Sequence, residues 1–480
     1  MTIEKFIGSE LRRKYDDIWP IVRLVLYHLD TTGKVGIMGL DGEWREQGSF
    51  RSKLVCPIRF IAYQWHRLFS VQKPGPSIYL SNSMLRIDRY TGLLEELYEN
   101  YNIISPFSWS DINRETFLKK NDLQKKIYQS RQLYFGKSVS GQCVKTHVER
   151  IYDLFFELLS KNEVCNDRYE YVDRSLQMLQ SAVNERIDEI VPRLKERQVS
   201  CFITINERNI QDVLIILACR RAGIWTKELS HQQNCMFNLV RYDDKRFFDD
   251  NAKMYSATHE SCQWSEPDKE FCIKYNVFDA VYNDFRISVV GCPEVTEKEY
   301  LINNKKYTKE DAMVIFVPSV SYFMERRNKE AFGISQGAMQ RVLGATEIIY
   351  NQVAKIAKER QMKVYIRYHP HEPIAIIEAE KELVDALGFE SLTTREDFVK
   401  AVCSCKVAIG YITSAFDSVL LYGGKCYALI LGEKEQYDFC GLGVQRIRPN
   451  EILNITLENC NEDGVVHSID INQLCTYPQI

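Results

Sequence analysis

The stretch that most constrains the fold covers residues 363–431, where short apolar segments alternate with helical ones. The apolar segments Lys363–Arg367, Val407–Ile412 and Cys426–Leu431 predict strands, with helices between them. Strands that alternate with helices along a chain form a parallel sheet with right-handed crossovers. This part of the chain therefore predicts a series of βα units.

Polar groups follow the first two of these strands. His369 and Pro370 follow the first, and Thr413 and Ser414 follow the second. In open α/β sheets, ligands bind outside the carboxyl ends of the strands. We therefore expect two neighbouring strand ends to form one site, whose groups are suited to a phosphate or a diphosphate.

His369 is the first candidate phosphate ligand. A histidine at a strand end can donate to a phosphate oxygen, and the N-terminus of the next helix adds a favourable dipole. Pro373 is placed to open that helix, and Arg367 is expected on the same face as His369 because side chains alternate along a strand. The alternative is a structural histidine that closes the strand.

Thr413 and Ser414 are the second candidate pair. A hydroxyl between a strand and a helix is a common N-cap, and capping is the alternative role for this pair. The first-turn N–H groups and one hydroxyl can also bind phosphate oxygens. The functional interpretation gains from repetition, because two strands of one βα series end in such groups.

The first half of the chain adds a second α/β pattern. Strands are predicted at Ser77–Leu80, Cys201–Ile205 and Ile224–Leu229, and Asn209 and Gly223 are placed to cap the helix between the last two. Two long helices are predicted within 141–198. The polar residues 240–270 predict a loop.

Two residues of this half are candidates for the catalytic base. His231 follows the predicted strand Ile224–Leu229, and Asp41 follows a predicted strand at Lys34–Leu40. His231 would act as a base or a substrate ligand, or be a satisfied core histidine. Asp41 stands in an Asp-Gly pair, for which turn formation is the alternative role.

Length and composition set the outer limits. With 480 residues, 45% of them hydrophobic, the chain is expected to form more than one domain. We predict an N-terminal domain at 1–295 that carries the helical insertion, a C-terminal domain at 296–460, and a tail at 461–480. The net charge of −3, with both signs interspersed, lacks the basic footprint of a nucleic-acid-binding protein.

Compartment and metal use follow from what the sequence lacks. The fifteen cysteines include no CxxC pair, which favours reduced thiols over a disulfide framework. No signal-peptide core and no apolar run of membrane-spanning length is found. We expect a cytoplasmic protein, with association at the inner membrane face left open. No zinc spacing or strand-flanked acidic pair occurs, so we expect a metal-independent reaction without a cofactor.

The motifs resemble a known group of families. Arg367-Tyr-His-Pro370, followed by Thr413–Ser414 and then Ala-Phe-Asp-Ser-Val-Leu-Leu-Tyr-Gly-Gly-Lys-Cys, is similar to the C-terminal half of GT-B glycosyltransferases. Capsular polysialyltransferases and CDP-glycerol glycerophosphotransferases share such an HP motif and a later serine-rich motif. The resemblance implies that His369 and Thr413–Ser414 hold the phosphates of a nucleotide donor. His231 matches only in part, since Gln232 stands where related enzymes carry glycine, and Asp41 only in part, since Leu40–Asp41–Gly42 stands where polysialyltransferases carry an acidic pair before glycine.

The resemblance also implies an architecture and a reaction. The expected fold is α/β and GT-B-like, with two Rossmann-like domains facing across a cleft. The expected reaction is transfer of a sugar, or a sugar-like group, from a nucleotide-activated donor to a surface glycan such as capsule or O-antigen, with a free or lipid-linked glycan as acceptor. Two alternatives stay open: a GT-B-fold sugar-nucleotide epimerase or hydrolase, and a non-catalytic nucleotide-sugar-binding protein.

Overall fold

A computed structural model describes the following parts of the chain: residues 10–30, 75–85, 87–106, 131–133, 139–161, 166–205, 209–230, 254–274, 276–293, 310–317, 336–368, 374–410, 413, 415–429, 444–456 and 468–476. Within these ranges the chain forms two large parallel sheets with helices on both faces, and a small parallel sheet of two strands. The α/β class and the two Rossmann-like domains predicted from the sequence are confirmed.

The first domain contains strands β1 to β9 and helices α1 to α6. The strands are β1 (Ser77–Leu80), β2 (Asn102–Pro106), β3 (Arg131–Leu133), β4 (Val199–Thr204), β5 (Trp225–Leu229), β6 (Met254–Ser256), β7 (Glu260–Gln263), β8 (Phe278–Ala280) and β9 (Arg286–Val289). The helices are α1 (Trp19–Asp30), α2 (Ile87–Asn100), α3 (Val139–Lys161), α4 (Asn166–Glu196), α5 (Ile210–Ala222) and α6 (Glu266–Lys274).

Seven of these strands form one sheet in the order β3-β2-β1-β4-β5-β7-β9, and every pairing in it is parallel. The chain builds outward from β1 through β2 to β3, and then returns through α3 and α4 to place β4 on the other side of β1. Strand order therefore reverses between β1 and β4, which makes their carboxyl ends the topological switch point of this sheet.

The helix caps and the long helices predicted for this domain are found at the predicted positions. Asn209 accepts a hydrogen bond from the Asp212 N–H at the start of α5, and Gly223 ends α5 in the left-handed conformation at φ 71°. Glycine adopts that conformation without the steric penalty other residues carry. The two long helices predicted for 141–198 are confirmed as α3 and α4, which cover one face of the sheet together with α1 and α5.

The loop predicted for 240–270 is wrong for its described part. β7 occupies Glu260–Gln263 in the interior of the sheet, and α6 follows it. All four residues of β7 are buried although three of them are polar. The strand is stable because its polar side chains find partners on neighbouring strands, among them Ser288 Oγ, which donates to Glu260 Oε1 at 2.6 Å.

The second domain contains β10 to β15 and α7 to α10. These are β10 (Ala312–Val317), α7 (Gln336–Arg360), β11 (Lys363–Tyr368), α8 (Ile374–Ala386), β12 (Glu390–Ser391), α9 (Arg395–Ser404), β13 (Val407–Gly410), α10 (Ala415–Leu421), β14 (Lys425–Leu429) and β15 (Val444–Ile447). The six strands form a parallel sheet in the order β12-β11-β10-β13-β14-β15. Its switch point lies between β10 and β13.

The last described helix returns to the first domain. This helix, α11 (Ile471–Cys475), packs its Leu474 and Cys475 into the hydrophobic cluster that also holds β1, β4 and β5. The Asp470 N–H donates to the Val290 carbonyl at 2.7 Å, and Lys227 Nζ donates to the Gln473 carbonyl at 2.9 Å. The predicted C-terminal tail therefore contributes to the packing of the N-terminal sheet.

Two further features concern the whole described part. None of its helices combines the length and the apolar character needed to cross a bilayer. None of its cysteines forms a disulfide, and burial raises the pKa of the Cys262 and Cys475 thiols to about 12. Such thiols are held as inert core side chains.

Candidate functional site

The candidate ligand site lies at the carboxyl edge of the second sheet. Phe316 of β10 is in register with Arg367 of β11 on one side and with Gly410 of β13 on the other. These three residues form a row across the sheet, close to where the three strands end. The row ends directly before the segments that carry the predicted phosphate ligands.

The sequence prediction of two neighbouring strand ends is wrong. β11 and β13 each pair with β10, and not with each other. The carboxyl ends of β11 and β13 are therefore separated by two strand spacings, roughly 10 Å, with the end of β10 between them.

Gly410 shapes the edge between β10 and β13. A Cβ built on Gly410 would lie 2.8 Å from the Phe316 carbonyl oxygen and 3.0 Å from the Phe316 Cβ. Real Cβ atoms do not approach backbone this closely, so a side chain here would force the two strands apart. The glycine thus permits close approach of β10 and β13 at the switch point.

Arg367 is half-buried and is held at the side of this edge. Its NH1 donates to the Leu392 carbonyl at 2.7 Å, and its guanidinium lies 5.5 Å from the centre of the Phe398 ring. The Phe398 ring packs against Phe316, with 6.1 Å between ring centres. These contacts fix the position of a positive charge beside the end of β11, as a ligand site for anions requires.

Thr413 is the described residue between β13 and α10. Its Oγ1 accepts a hydrogen bond from the Ala415 N–H at 3.2 Å, and its carbonyl accepts from the Phe416 N–H at 3.2 Å. The capping role predicted as the alternative is therefore present. Capping uses a lone pair of the hydroxyl, and a hydroxyl that accepts can still donate its proton.

The Gly423–Gly424 pair has a structural explanation. Gly423 ends α10 with φ +72°, a conformation that strains other residues. A Cβ on Gly424 would lie 2.6 Å from Val419 Cγ1. Both glycines therefore serve the tight return from α10 to β14.

Two tyrosines and one glutamate support the end of β11. Tyr368, its last residue, donates to Glu380 Oε2 at 3.0 Å, and Tyr350 of α7 donates to the same oxygen at 2.9 Å. Burial, followed by the charge of Glu380, raises the pKa of Tyr350, so this phenol keeps its proton. The network ties β11, α7 and α8 together one residue before His369.

The other predicted site residues lie outside the described part of the chain. They are Asp41, His231, His369, Pro370 and Ser414. Their roles, and metal-independent catalysis, stay predictions. Within the described ranges, no group of three His, Cys, Asp or Glu side chains is arranged to hold a metal ion.

A second polar cluster lies at the switch point of the first sheet, and the sequence analysis missed it. Ser81 and Ser83 follow β1, Thr204 ends β4, and Asp212 stands in the first turn of α5. Ser83 Oγ lies 2.6 Å from Ser81 Oγ and 3.3 Å from Thr204 Oγ1, and the Thr204 hydroxyl donates to Asp212 Oδ2 at 2.7 Å. The signal that pointed to Thr413, a hydroxyl directly after a strand, also applies here.

An ion cluster lies on the face of the first sheet that α11 covers. Glu260 Oε2 accepts from Arg286 NH2 at 2.6 Å and from Trp225 Nε1 at 3.1 Å, and Lys227 Nζ lies 3.5 Å from it. Burial would raise the pKa of Glu260, but the Lys227 charge and the hydrogen bonds from Ser288, Arg286 and Trp225 outweigh it and lower this pKa. Glu260 is therefore a carboxylate held for packing, at the amino end of β7 and not at the carboxyl ends of the strands.

Comparisons with known proteins give structural similarities alone. No protein-family model matches the chain, and no curated protein matches its sequence. Similar solved structures include UDP-GlcNAc 2-epimerase from Methanocaldococcus jannaschii, at 11% identity over 81% of this chain and 95% of that one, with a TM-score of 0.42. UDP-GlcNAc 2-epimerase from Neisseria meningitidis bound to UDP-GlcNAc shows 8% identity over 79% and 90%, with a TM-score of 0.41.

A polymerase is also among the similar structures. The wall teichoic acid polymerase TagF shows 10% identity over 79% of this chain and 78% of its own, with a TM-score of 0.31. Similarities at this level give no argument about substrate or reaction. The fold class therefore rests on the strand orders of the two sheets.

Proposed function

We propose that this chain is an enzyme that acts on a nucleotide-activated sugar, with the nucleotide bound at the carboxyl edge of the second sheet. The proposal rests on the switch point between β10 and β13. Gly410 permits these two strands to approach closely there, and Arg367 and Thr413 lie beside it. Ligands of open α/β sheets bind at such points. A cation and a hydroxyl donor suit the oxygens of a diphosphate.

The ligand groups are assigned residue by residue. Arg367 supplies charge at the β11 side, and the Thr413 hydroxyl supplies a donor at the β13 side. His369, Pro370 and Ser414 continue these two segments in the sequence and complete the proposed phosphate site. Stabilising the negative charge that develops on the departing nucleotide is then a task for protein donors.

The reaction is the finer part of the proposal. We infer transfer of the sugar to a glycan acceptor, with His231 or Asp41 as the base for the acceptor hydroxyl. The support is the sequence resemblance of the HP and Thr-Ser segments to surface-glycan transferases. The alternative is a sugar-nucleotide epimerase, the activity that most of the similar structures carry in their names.

One product analysis separates the two reactions. The protein is incubated with UDP-, GDP-, CDP- and CMP-sugars, with and without an oligosaccharide acceptor, and the products are followed by NMR. Transfer predicts nucleotide release that depends on the acceptor and a new glycosidic linkage. A sugar of altered configuration that is formed without any acceptor would support the epimerase instead, and binding without turnover would contradict both reactions.

A matched pair of variants tests the phosphate site in the same assay. His369→Ala removes a proposed phosphate donor, whereas His371→Ala removes a histidine two positions further on that has no assigned role. Loss of one donor to developing charge costs on the order of a hundredfold in turnover. Equal activities of the two variants would count against the proposed phosphate site.

A further inference from the structure

We propose that the first domain holds a binding site for a carbohydrate hydroxyl at its own switch point, with Ser83 as the contact residue. The site consists of the hydrogen-bonded series Ser81, Ser83, Thr204 and Asp212. The inference rests on the proposed function where it names this carbohydrate as the acceptor glycan of the reaction.

The direction of the hydrogen bonds in this series is set by Asp212. A carboxylate accepts hydrogen bonds and cannot donate them. The single proton of the Thr204 hydroxyl therefore points to Asp212 Oδ2, 2.7 Å away. Thr204 Oγ1 can then only accept from Ser83, and the Ser83 proton is directed inward.

The same reasoning fixes Ser81. Because Ser83 uses its proton toward Thr204, the 2.6 Å contact between the two serines requires Ser81 to donate to Ser83. A hydroxyl oxygen has two lone pairs, and one of those on Ser83 receives this bond. Ser83 therefore offers its second lone pair to a ligand, and no proton.

Burial selects Ser83 as the contact. Ser81, Thr204 and Asp212 are 1%, 0% and 3% exposed, whereas Ser83 is half-buried. Of the four residues, Ser83 is thus the one that a ligand can reach. The other three act through it, as positioning residues that fix the orientation of its hydroxyl.

Because Ser83 offers a lone pair and no proton, its ligand has to be a neutral hydrogen-bond donor. The phosphate oxygens of a phosphodiester carry no proton to give to a lone pair of Ser83, so phosphodiesters are disfavoured. A sugar hydroxyl donates well. The location supports a ligand role, because Ser81 and Ser83 follow β1 and Thr204 ends β4, the two strands between which the order of the sheet reverses.

The test uses the full chain and methyl glycosides of glucose, galactose and N-acetylglucosamine as probes, in saturation-transfer NMR at millimolar concentrations without nucleotide. We expect saturable binding of at least one glycoside and no competition by dimethyl phosphate, a diester that has no P–OH proton. Ser83→Ala should weaken this binding about fivefold, the loss of one neutral hydrogen bond.

Three further variants separate this role from a structural one. Thr204→Val should weaken glycoside binding to a similar extent, and Thr204→Ser, which keeps the hydroxyl, should retain it. Ser200→Ala is the matched control, because Ser200 lies near the amino end of the same strand and donates to the Ser77 carbonyl. It should bind glycosides as the unchanged protein does.

Two results would overturn the inference: absence of saturable glycoside binding, or equal binding by the Ser83→Ala and Ser200→Ala variants. Nucleotide titration of the same variants keeps the two proposals separate. Glycoside binding that depends on Ser83, without any nucleotide binding, would support this inference and contradict the proposed function. Nucleotide binding without glycoside binding that depends on Ser83 would contradict this inference alone.

Discussion

The structure defines most closely how much the substitution Glu260→Gln lowers the stability of the fold. Glu260 is the shared carboxylate of the ion cluster, with 2% side-chain exposure, and Lys227, with 1%, has its ammonium 3.5 Å away. Removing one partner of a buried ion pair costs about 3–5 kcal/mol because the other charge stays uncompensated. Arg286 is 46% exposed and can turn to water, so the penalty falls on Lys227. The buried Lys227 ammonium keeps its hydrogen bond to the Gln473 carbonyl at 2.9 Å, which limits this cost but does not replace the lost charge.

The pKa of Glu260 is lowered, so its contribution is complete above the ordinary carboxyl range and is lost only as pH falls through that range. The assay is hydrogen exchange of the peptide that covers β7, read by mass spectrometry at pH 7, which reports the local opening free energy.

The matched control is Glu266→Gln, at a glutamate with 63% side-chain exposure that pairs with Lys269. Exposed pairs of this kind contribute about 0–1 kcal/mol. We expect Glu260→Gln to lose about 3–5 kcal/mol at pH 7. A loss no larger than that of the control would refute the reasoning.

Three shorter predictions concern other parts of the fold. Gly410→Ala should cost about 1–3 kcal/mol in thermal unfolding and weaken nucleotide binding, because its Cβ would press on Phe316; an unchanged melting temperature would contradict this. Burial lowers the pKa of His259 to about 4, and its Nδ1 accepts from the Thr226 N–H. The stability of the fold should therefore fall as pH drops from about 6.5 toward 4, by at most about 3 kcal/mol. In acid titrations, His259→Gln should remove that dependence. Thr394→Ala should cost about 1 kcal/mol in denaturant unfolding and Thr394→Ser much less, since Thr394 and Asp397 form the capping box of α9.

Elements whose ends are set by neighbouring residues in the sequence were predicted correctly. Asn209 and Gly223 bound α5 as predicted, and the strand Ser77–Leu80 was predicted with its observed ends. β7 escaped prediction because Glu-Ser-Cys-Gln contains no apolar run. Its burial depends on partners from other strands, such as Trp225 and Ser288, which only the folded sheet brings together.

The site shows the same limit. The sequence indicated that polar segments follow β11 and β13, but it did not indicate that β10, earlier in the chain, lies between them. Strand order is a property of the whole sheet and of its crossovers, so spacing along the chain does not reveal it. Ser83 and Asp212, far apart in sequence, were missed for the same reason: they meet only through Thr204 at the switch point.

The central claim is that the second domain binds the nucleotide part of the donor. Calorimetric titration with UDP, GDP, CDP and CMP tests it most directly, on the unchanged protein and on the His369→Ala and His231→Ala variants. The account predicts saturable binding of at least one nucleotide, weakened about 10- to 150-fold by His369→Ala, the loss of one hydrogen bond to a charged group, and unchanged by His231→Ala. Nucleotide binding that survives His369→Ala and is lost in His231→Ala would contradict it.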